Sequence, residues 1–405
     1  MSTLFLTYYY PPGNTPAARR MTHLGRTFAE AGPVCVITAT PAATQFEHVE
    51  ETVTVASPDL RRMVGALRSG PTNAQDKTIG TKTKSSAWVQ LFLPLRQAYP
   101  FLFLTDDGGP LYRREAFRAA CQLIEKRRVT TVFSSFRPWS DHLIASRLKK
   151  KYPHLRWIAD FRDLPADPVR KDIWWPALQR WWGKRTVKTA DEVWVVSEGQ
   201  RAQLTSWHPK MKVVRNALLK LPPARTAPQT ERFTIVYTGS FYEGLQSVEP
   251  LVKSLLELLA DGTISPHDLS LVYRGKDAEL FCRQAARLPE EVLDCQPSVA
   301  PACAQKMQRE AQMLLLLNWS APNYYGVLTA KLWDYLAAGR PILGLVNGPG
   351  DEELQRIIEG ADAGAVFADE EQGELTAYLA GQYGKWLKAK VLEHTPNLNM
   401  LNTYL

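Results

Sequence analysis

Thr329-Ala-Lys-Leu-Trp-Asp-Tyr-Leu-Ala-Ala-Gly-Arg-Pro-Ile-Leu-Gly-Leu-Val346 decides how this chain is read. Leu332, Tyr335 and Leu336 recur at helical spacing and Ala337 and Ala338 continue the helix. Gly339 suits the left-handed position after its end, and Pro341 opens the apolar run 342–346. The stretch therefore predicts a helix feeding a buried strand, the repeating unit of a parallel α/β sheet. Lys331 and Asp334 lie three apart, on one face near the helix start that Thr329 opens. Unbonded N–H groups and the helix dipole favour a phosphate there. A cation and an acid so placed suit a nucleotide's diphosphate and ribose hydroxyls, and equally suit the solvated face of an ordinary amphipathic helix.

Residues 331–343 resemble the donor-site signature of GT-B glycosyltransferases of the family-four type, usually Lys-Leu-Phe-Glu-Tyr-Leu-Ala-Ala-Gly-Lys-Pro-Val. In that family the acid binds the ribose of a sugar nucleotide, and here it is the shorter Asp334. A second acid, frequent eight residues earlier, falls on Gly326. The resemblance implies an α/β chain of two Rossmann-like domains facing a cleft. It also implies transfer of a sugar from a nucleotide-sugar donor with retention of configuration.

Composition sets the bounds. A chain of 405 residues suits two domains with ample cores, and 45% hydrophobic residues fits a soluble globular protein. No basic leader and no run of eighteen apolar residues is present, which predicts a cytoplasmic protein without a membrane span. Five cysteines without a Cys-x-x-Cys indicate neither a disulfide frame nor a zinc site. Residues 1–222 carry 34 Lys and Arg against 18 Asp and Glu, a net +16, whereas 223–405 carry 15 against 23, a net −8. Opposed halves suggest two domains and point the first at an anionic partner: a membrane surface, a lipid diphosphate or an acidic glycan. Nucleic acid is disfavoured because no recognised nucleic-acid module and no interleaved aromatic-basic run appears.

Working back from the quoted stretch, strands are expected over 233–238, 269–273, 292–295, 313–317, 342–346 and 363–367, with helices between. Gly239 and Ser240 leave the first of these as a tight turn suited to a phosphate. Arg274 and Lys276 leave the second at the same sheet end and supply cations for a diphosphate. Ahead of the Pro-rich linker, strands are expected over 3–7, 34–38, 130–134, 156–160, 192–196 and 211–214, and helices over 17–31, 111–127, 139–151 and 173–189. Residues 57–107 read as irregular. The domains so drawn are 1–220, a linker 221–232, 233–380, and a tail 381–405.

Two polar clusters end strands of the first half, Ser134 to His142 and Asp160-Phe-Arg-Asp163. Ligands of open α/β sheets bind beyond the carboxyl ends of strands, so Asp160, Arg162 and Asp163 are candidates for the reacting centre and Arg137 for the sugar or acceptor side. Gly13 and Asn14 allow close backbone approach, with Arg19 and Arg20 in the helix that follows. The loop from Tyr9 through Pro12, the Asp-Phe-Arg-Asp block and Thr238-Gly-Ser-Phe-Tyr resemble blocks of the same glycosyltransferases. In relatives the N-terminal loop faces sugar and acceptor, which assigns Gly13, Asn14 and Arg19 to that side. The family's last helix crosses back to the first domain, which is expected of residues 381–405.

Residues 173–182, Ile-Trp-Trp-Pro-Ala-Leu-Gln-Arg-Trp-Trp, form an apolar stripe amid Lys and Arg. They suit either a core helix or one lying in a membrane interface. The expected partners are a nucleotide-sugar, a glycan or lipid-linked acceptor, and an anionic membrane surface met peripherally. The nucleotide-sugar is substrate rather than cofactor, and no metal is expected because no Asp-x-Asp motif is present. A nucleotide-sugar epimerase and an inactive nucleotide-sugar-binding subunit are the alternatives.

Overall fold

The computed structural model describes residues 2–13, 15–41, 43, 45–57, 108–169, 173–223 and 229–405. Asn14 and all but the first residue of the irregular stretch 57–107 lie outside the described residues. The chain forms two compact units, Met1–Val196 with Arg201–Val214, and Ser197–Gln200 with Arg215–Leu405. The division at Val214 precedes the Pro-rich linker, and residues 215–220 go with the second unit.

The first unit contains β1 (Thr3–Leu6), α1 (Pro16–Ala29), β2 (Val34–Thr38), β3 (Glu51–Thr54), α2 (Gly109–Arg127), β4 (Thr131–Phe136), α3 (Trp139–Lys151), β5 (Arg156–Phe161), α4 (Pro176–Val187), β6 (Glu192–Val195), the second half of α5 (Glu198–Leu204), whose first three residues go with the second unit, and β7 (Met211–Val213). Its sheet runs β3-β2-β1-β4-β5-β6-β7, and every recorded pairing is parallel. β1, β2 and β4 are buried at every residue, as expected of strands covered on both faces. β3 was not anticipated. Its Glu-Thr-Val-Thr has one strongly apolar residue, and Glu51 binds Lys126 and Arg127, a charged finish suited to a sheet edge. α4 begins at Pro176 rather than 173, because proline presets the first helical φ.

The second unit contains β8 (Phe233–Thr238), α6 (Glu249–Ala260), β9 (Leu269–Arg274), α7 (Ala278–Ala285), β10 (Leu293–Gln296), α8 (Pro301–Glu310), β11 (Met313–Trp319), α9 (Ala330–Ala338), β12 (Ile342–Asn347), α10 (Glu352–Gly360), β13 (Gly364–Ala368), α11 (Gln372–Ala389) and α12 (Leu398–Asn402). Its parallel order, β10-β9-β8-β11-β12-β13, is the 3-2-1-4-5-6 order of doubly wound nucleotide-binding sheets, with its reversal between β8 and β11. Side chains of β11 alternate between two cores. Met313, Leu315 and Leu317 pack with α6 and α11, and Leu314 and Leu316 with α9 and α10. Gly339 ends α9 at φ +69, and a Cβ there would lie 2.8 Å from Pro222 Cβ, so backbone and packing both require glycine. Leu332 and Leu336 are buried at about 2 kcal/mol each, which fixes α9 on the sheet.

Residues 381–405, expected to cross back to the first domain, pack within the second unit. Tyr383, Trp386 and Leu392 join one of its cores and Leu401 the other, and Leu218 N–H donates to Tyr404 O at 2.6 Å. Among the described residues no helix is long and apolar enough to cross a membrane.

Candidate functional site

At the reversal of the second sheet the chain leaves β8 through Gly239 and Ser240 and enters α9 at Thr329. Gly239 has φ +106, and a Cβ on it would lie 2.8 Å from Lys331 Cε, so the lysine side chain lies across this glycine. Lys331 Nζ donates to Tyr237 Oη at 2.8 Å and Ser240 O at 2.7 Å, and it stands 4.7 Å from the Tyr237 ring centroid. Tyr237 Oη in turn donates to Ser240 O, and Thr238 N–H donates to Tyr335 Oη at 3.0 Å. The turn is therefore fastened from three sides. Burial, opposed by the Asp277 carboxylate and aided by the Lys276 ammonium, pulls the Lys331 pKa down from 10.5 to about 8.

Thr329 caps α9 with extended backbone and no side-chain hydrogen bond, so no cap side chain of this helix takes the place of an anion. Asp334 follows one turn after Lys331 and is half-buried. The resulting arrangement of glycine turn, half-buried ammonium and helix N-terminus is what a diphosphate requires, with a carboxylate on the same helix.

The two cations expected after β9 differ in fate. Arg274 is only 9% exposed and its guanidinium is committed to Asp294 Oδ2 at 2.5 Å, Asp294 O at 2.8 Å and Tyr273 O at 2.9 Å. It fastens β9 to β10. Lys276 is exposed, and its charge bears on Lys331. Gly275 holds the two turns together, because a Cβ there would lie 2.1 Å from Gly239 O.

Asn318, which the sequence alone did not single out, is the penultimate residue of β11, beside the reversal. It is 2% exposed, on the same strand face as Leu314 and Leu316, and neither amide atom has a hydrogen-bond partner among the described residues. Buried amides without partners are rare, so this group is a candidate for contact with a ligand. Its signal is the polar residue closing the run Met-Leu-Leu-Leu-Leu-Asn.

Gly326 has no room for the second acid of the resembling family. Its φ is +72, and a Cβ would lie 2.8 Å from Glu353 Oε2, 2.9 Å from Gly199 N and 3.0 Å from Ser197 Oγ. The Glu353 carboxylate accepts from Glu198 N–H at 2.7 Å, Gly199 N–H at 3.3 Å and Arg215 Nε at 3.0 Å. Asp351 accepts from Gly326 N–H at 2.8 Å and from Leu354 N–H at 3.0 Å. Burial raises the pKa of both acids against these hydrogen bonds.

In the first unit the structure separates the polar clusters. Asp160, expected at the reacting centre, has a side chain 0% exposed and is held by Arg20, 1% exposed, through Nη2–Oδ1 at 2.6 Å and Nε–Oδ2 at 3.1 Å, with Ser135 Oγ at 3.2 Å. Arg20 rather than Arg19 is thus the arginine of α1 that points inward. His142 is core as well. It meets Ser134 Oγ at 2.8 Å, Trp157 Nε1 donates to that same oxygen at 2.8 Å, and burial pulls the imidazole pKa down to about 3. Asp141 accepts from Tyr8 N–H at 2.8 Å and Tyr112 Oη at 2.9 Å, which ties the loop after β1 to α3. Burial pushes its pKa up to about 7 against those bonds and the field of Arg162. Arg162 donates to Arg137 O at 3.1 Å and stands 3.9 Å from Asp163, whose side chain is 48% exposed. Gly13 is exposed and Arg19 partly so.

No family model and no curated protein sequence matches this chain. Solved structures do. A sucrose-phosphate synthase from Thermosynechococcus elongatus is similar at TM-score 0.59 and 14% identity, over 100% of this chain and 95% of its own. The E. coli trehalose-6-phosphate protein bound with UDP-2-fluoro glucose is similar at 0.54 and 10%, over 100% and 95%. A glycosyltransferase from Rickettsia africae is similar at 0.51 and 11%, over 99% and 96%. At these identities the likeness defines the fold, and that fold is GT-B.

Proposed function

We propose that this chain is a glycosyltransferase that moves a sugar from a nucleotide-sugar donor to a glycan or lipid-linked acceptor, with retention and without a metal, in polysaccharide assembly. The observation that carries the reading is the anion cradle of the second unit, in which Gly239, Ser240, Lys331 and the start of α9 converge at the sheet reversal. As the bond to the nucleotide breaks, negative charge grows on the leaving diphosphate. A fixed ammonium and a helix N-terminus stabilise that charge without reorganising. Asp334 accepts from the ribose hydroxyls, and Asn318 supplies a further hydrogen bond. Lys276 adds charge from the rim. In the first unit Gly13, Arg19, Arg137, Arg162 and Asp163 are the groups offered to acceptor and sugar, with Asp160 positioning them through Arg20. The E. coli fold neighbour holds a UDP-sugar, in keeping with such a donor. A cytoplasmic setting suits the five free cysteines.

The test is a panel of UDP-, GDP-, ADP- and dTDP-sugars read by thermal shift. A ligand at about 100 times its Kd adds roughly 2.7 kcal/mol to the folded state. Bound donors are then incubated with acceptor panels with and without a chelator, and the anomeric configuration of the product is read by NMR. Stabilisation by none of the donors would overturn the reading. Interconversion of the donor sugar without acceptor would make the chain an epimerase, and binding without turnover would make it a nucleotide-sugar-binding subunit.

A further inference from the structure

α4 and the two residues before it divide their tryptophans between two environments. At about 100° per residue, Gln179, Gly183, Thr186 and Val187 share one side and are buried, while Trp181 falls on the opposite pole with Leu178 and Arg185 beside it. The inner side is tightly seated. Trp182 packs against Trp139 with ring centroids 4.7 Å apart, and a Cβ on Gly183 would lie 2.5 Å from Trp207 and 2.8 Å from Trp139. The outer side is exposed, Leu178 38% and Trp181 58%, and so are the two residues that lead into the helix, Trp174 37% and Trp175 50%. Trp175 takes a left-handed φ of +55, which bulky residues rarely adopt, immediately before the helix. A shallow hollow of about 480 Å³ there is lined by Trp175, Pro176, Ala177 and Leu178.

Charge selects the partner. Residues 173–190 contain no acid, and all four of their cations, Arg180, Lys184, Arg185 and Lys188, are exposed around the apolar face. Exposed tryptophans ringed by Lys and Arg match the boundary of an anionic bilayer, where indole rings settle at headgroup level and cations meet phosphates. We propose that the outer face of α4, together with the exposed Trp174 and Trp175 that lead into it, is a docking surface for an anionic phospholipid bilayer, with these tryptophans, Leu178 and Trp181 entering the interface and Arg180, Lys184, Arg185 and Lys188 facing the headgroups. The inference stands on the first unit alone and is independent of the transfer chemistry, so its failure leaves the proposed function intact.

The test is co-sedimentation of the full chain with vesicles of phosphatidylcholine alone or mixed with phosphatidylglycerol. Binding is expected only to the anionic vesicles, with release at molar salt and quenching of tryptophan emission by brominated acyl chains. Trp181→Ser with Leu178→Ser, and separately Lys184→Glu with Arg185→Glu, each weaken binding about tenfold or more, and the circular dichroism and melting temperature stay as in the parent. Absence of binding, equal binding to neutral vesicles, or either variant binding like the parent overturns the proposal. So does a dimer in sedimentation velocity that Trp181→Ser abolishes, since a second copy would then cover the face.

Discussion

Lys331→Met keeps the reach of the side chain and removes its charge, and the surroundings of Lys331 set what should follow. With its pKa pulled from 10.5 to about 8, the ammonium is about 3 kcal/mol harder to hold here than in water. Its hydrogen-bond partners are the neutral Tyr237 hydroxyl and Ser240 carbonyl. Between pH 8 and 10.5 the unfolded chain binds more protons at this site than the folded one, so the contribution of Lys331 to unliganded stability rises with pH across that window. Nucleotide affinity should run the other way. A diphosphate beside Nζ favours the charged form, so binding takes up a proton wherever the free protein has lost it, about half a proton near pH 8. Calorimetry of the bound nucleoside diphosphate at pH 7, 8 and 9, in buffers of different ionisation enthalpy, measures that uptake directly. Affinity should fall above pH 8, approaching tenfold per pH unit. Lys331→Met should abolish the uptake and flatten the profile. It should also weaken binding at pH 7 by about 1.5–3 kcal/mol, roughly tenfold to a hundredfold, the value of one charge-assisted hydrogen bond. Affinity independent of pH between 7 and 9 with no proton uptake, or a Met variant that binds like the parent, would refute the assignment of Lys331 to the phosphates.

Asp160→Ala strands the buried Arg20 guanidinium and should cost about 3–5 kcal/mol of stability in denaturant titration, whereas Asp160→Leu combined with Arg20→Leu should recover most of it. A variant at Asp160 with parental stability and no turnover would instead make it catalytic. Asp334→Ala should lose two charge-assisted hydrogen bonds, about 3–6 kcal/mol or a hundredfold and more in donor affinity by calorimetry, while Asp334→Glu stays measurably active. Asn318→Leu removes a buried amide without partners among the described residues and should hold or raise the unliganded melting temperature while weakening nucleotide binding. Donor affinity unaltered in that variant would reduce Asn318 to a defect of packing.

What could be read in the sequence followed from local periodicity. The helix at 330–338, the left-handed Gly339 and the strand at 342 are dictated by neighbours within a few residues, and the strand-helix alternation implied parallel sheets. Sorting the polar residues needed partners far along the chain. Arg274 lies opposite Gln296 on β10, and its pairing with Asp294 depends on which strands are neighbours. Glu353 reaches Gly199 from 154 residues away. Arg20 is an instructive miss. It follows Ala17 by three and precedes Leu24 by four, on the stripe of α1 that packs inward, so its burial was implied and only its partner was not.

The same contrast separates groups that serve the fold from groups that await a ligand. Arg20 with Asp160 and Arg274 with Asp294 are charges whose partners lie within their own unit, and in both cases the pair joins neighbouring elements. Lys331 is a half-buried cation with neutral hydrogen-bond partners, and Asn318 a buried amide with none among the described residues. Burying such groups costs free energy that the unliganded fold does not return. Both stand at the reversal of the second sheet, where a doubly wound fold leaves its strand ends open to a ligand. On the proposed reading a nucleotide diphosphate at that point would add an anion beside Lys331, where the Asp277 carboxylate only partly offsets burial, and hydrogen-bonding groups for Asn318.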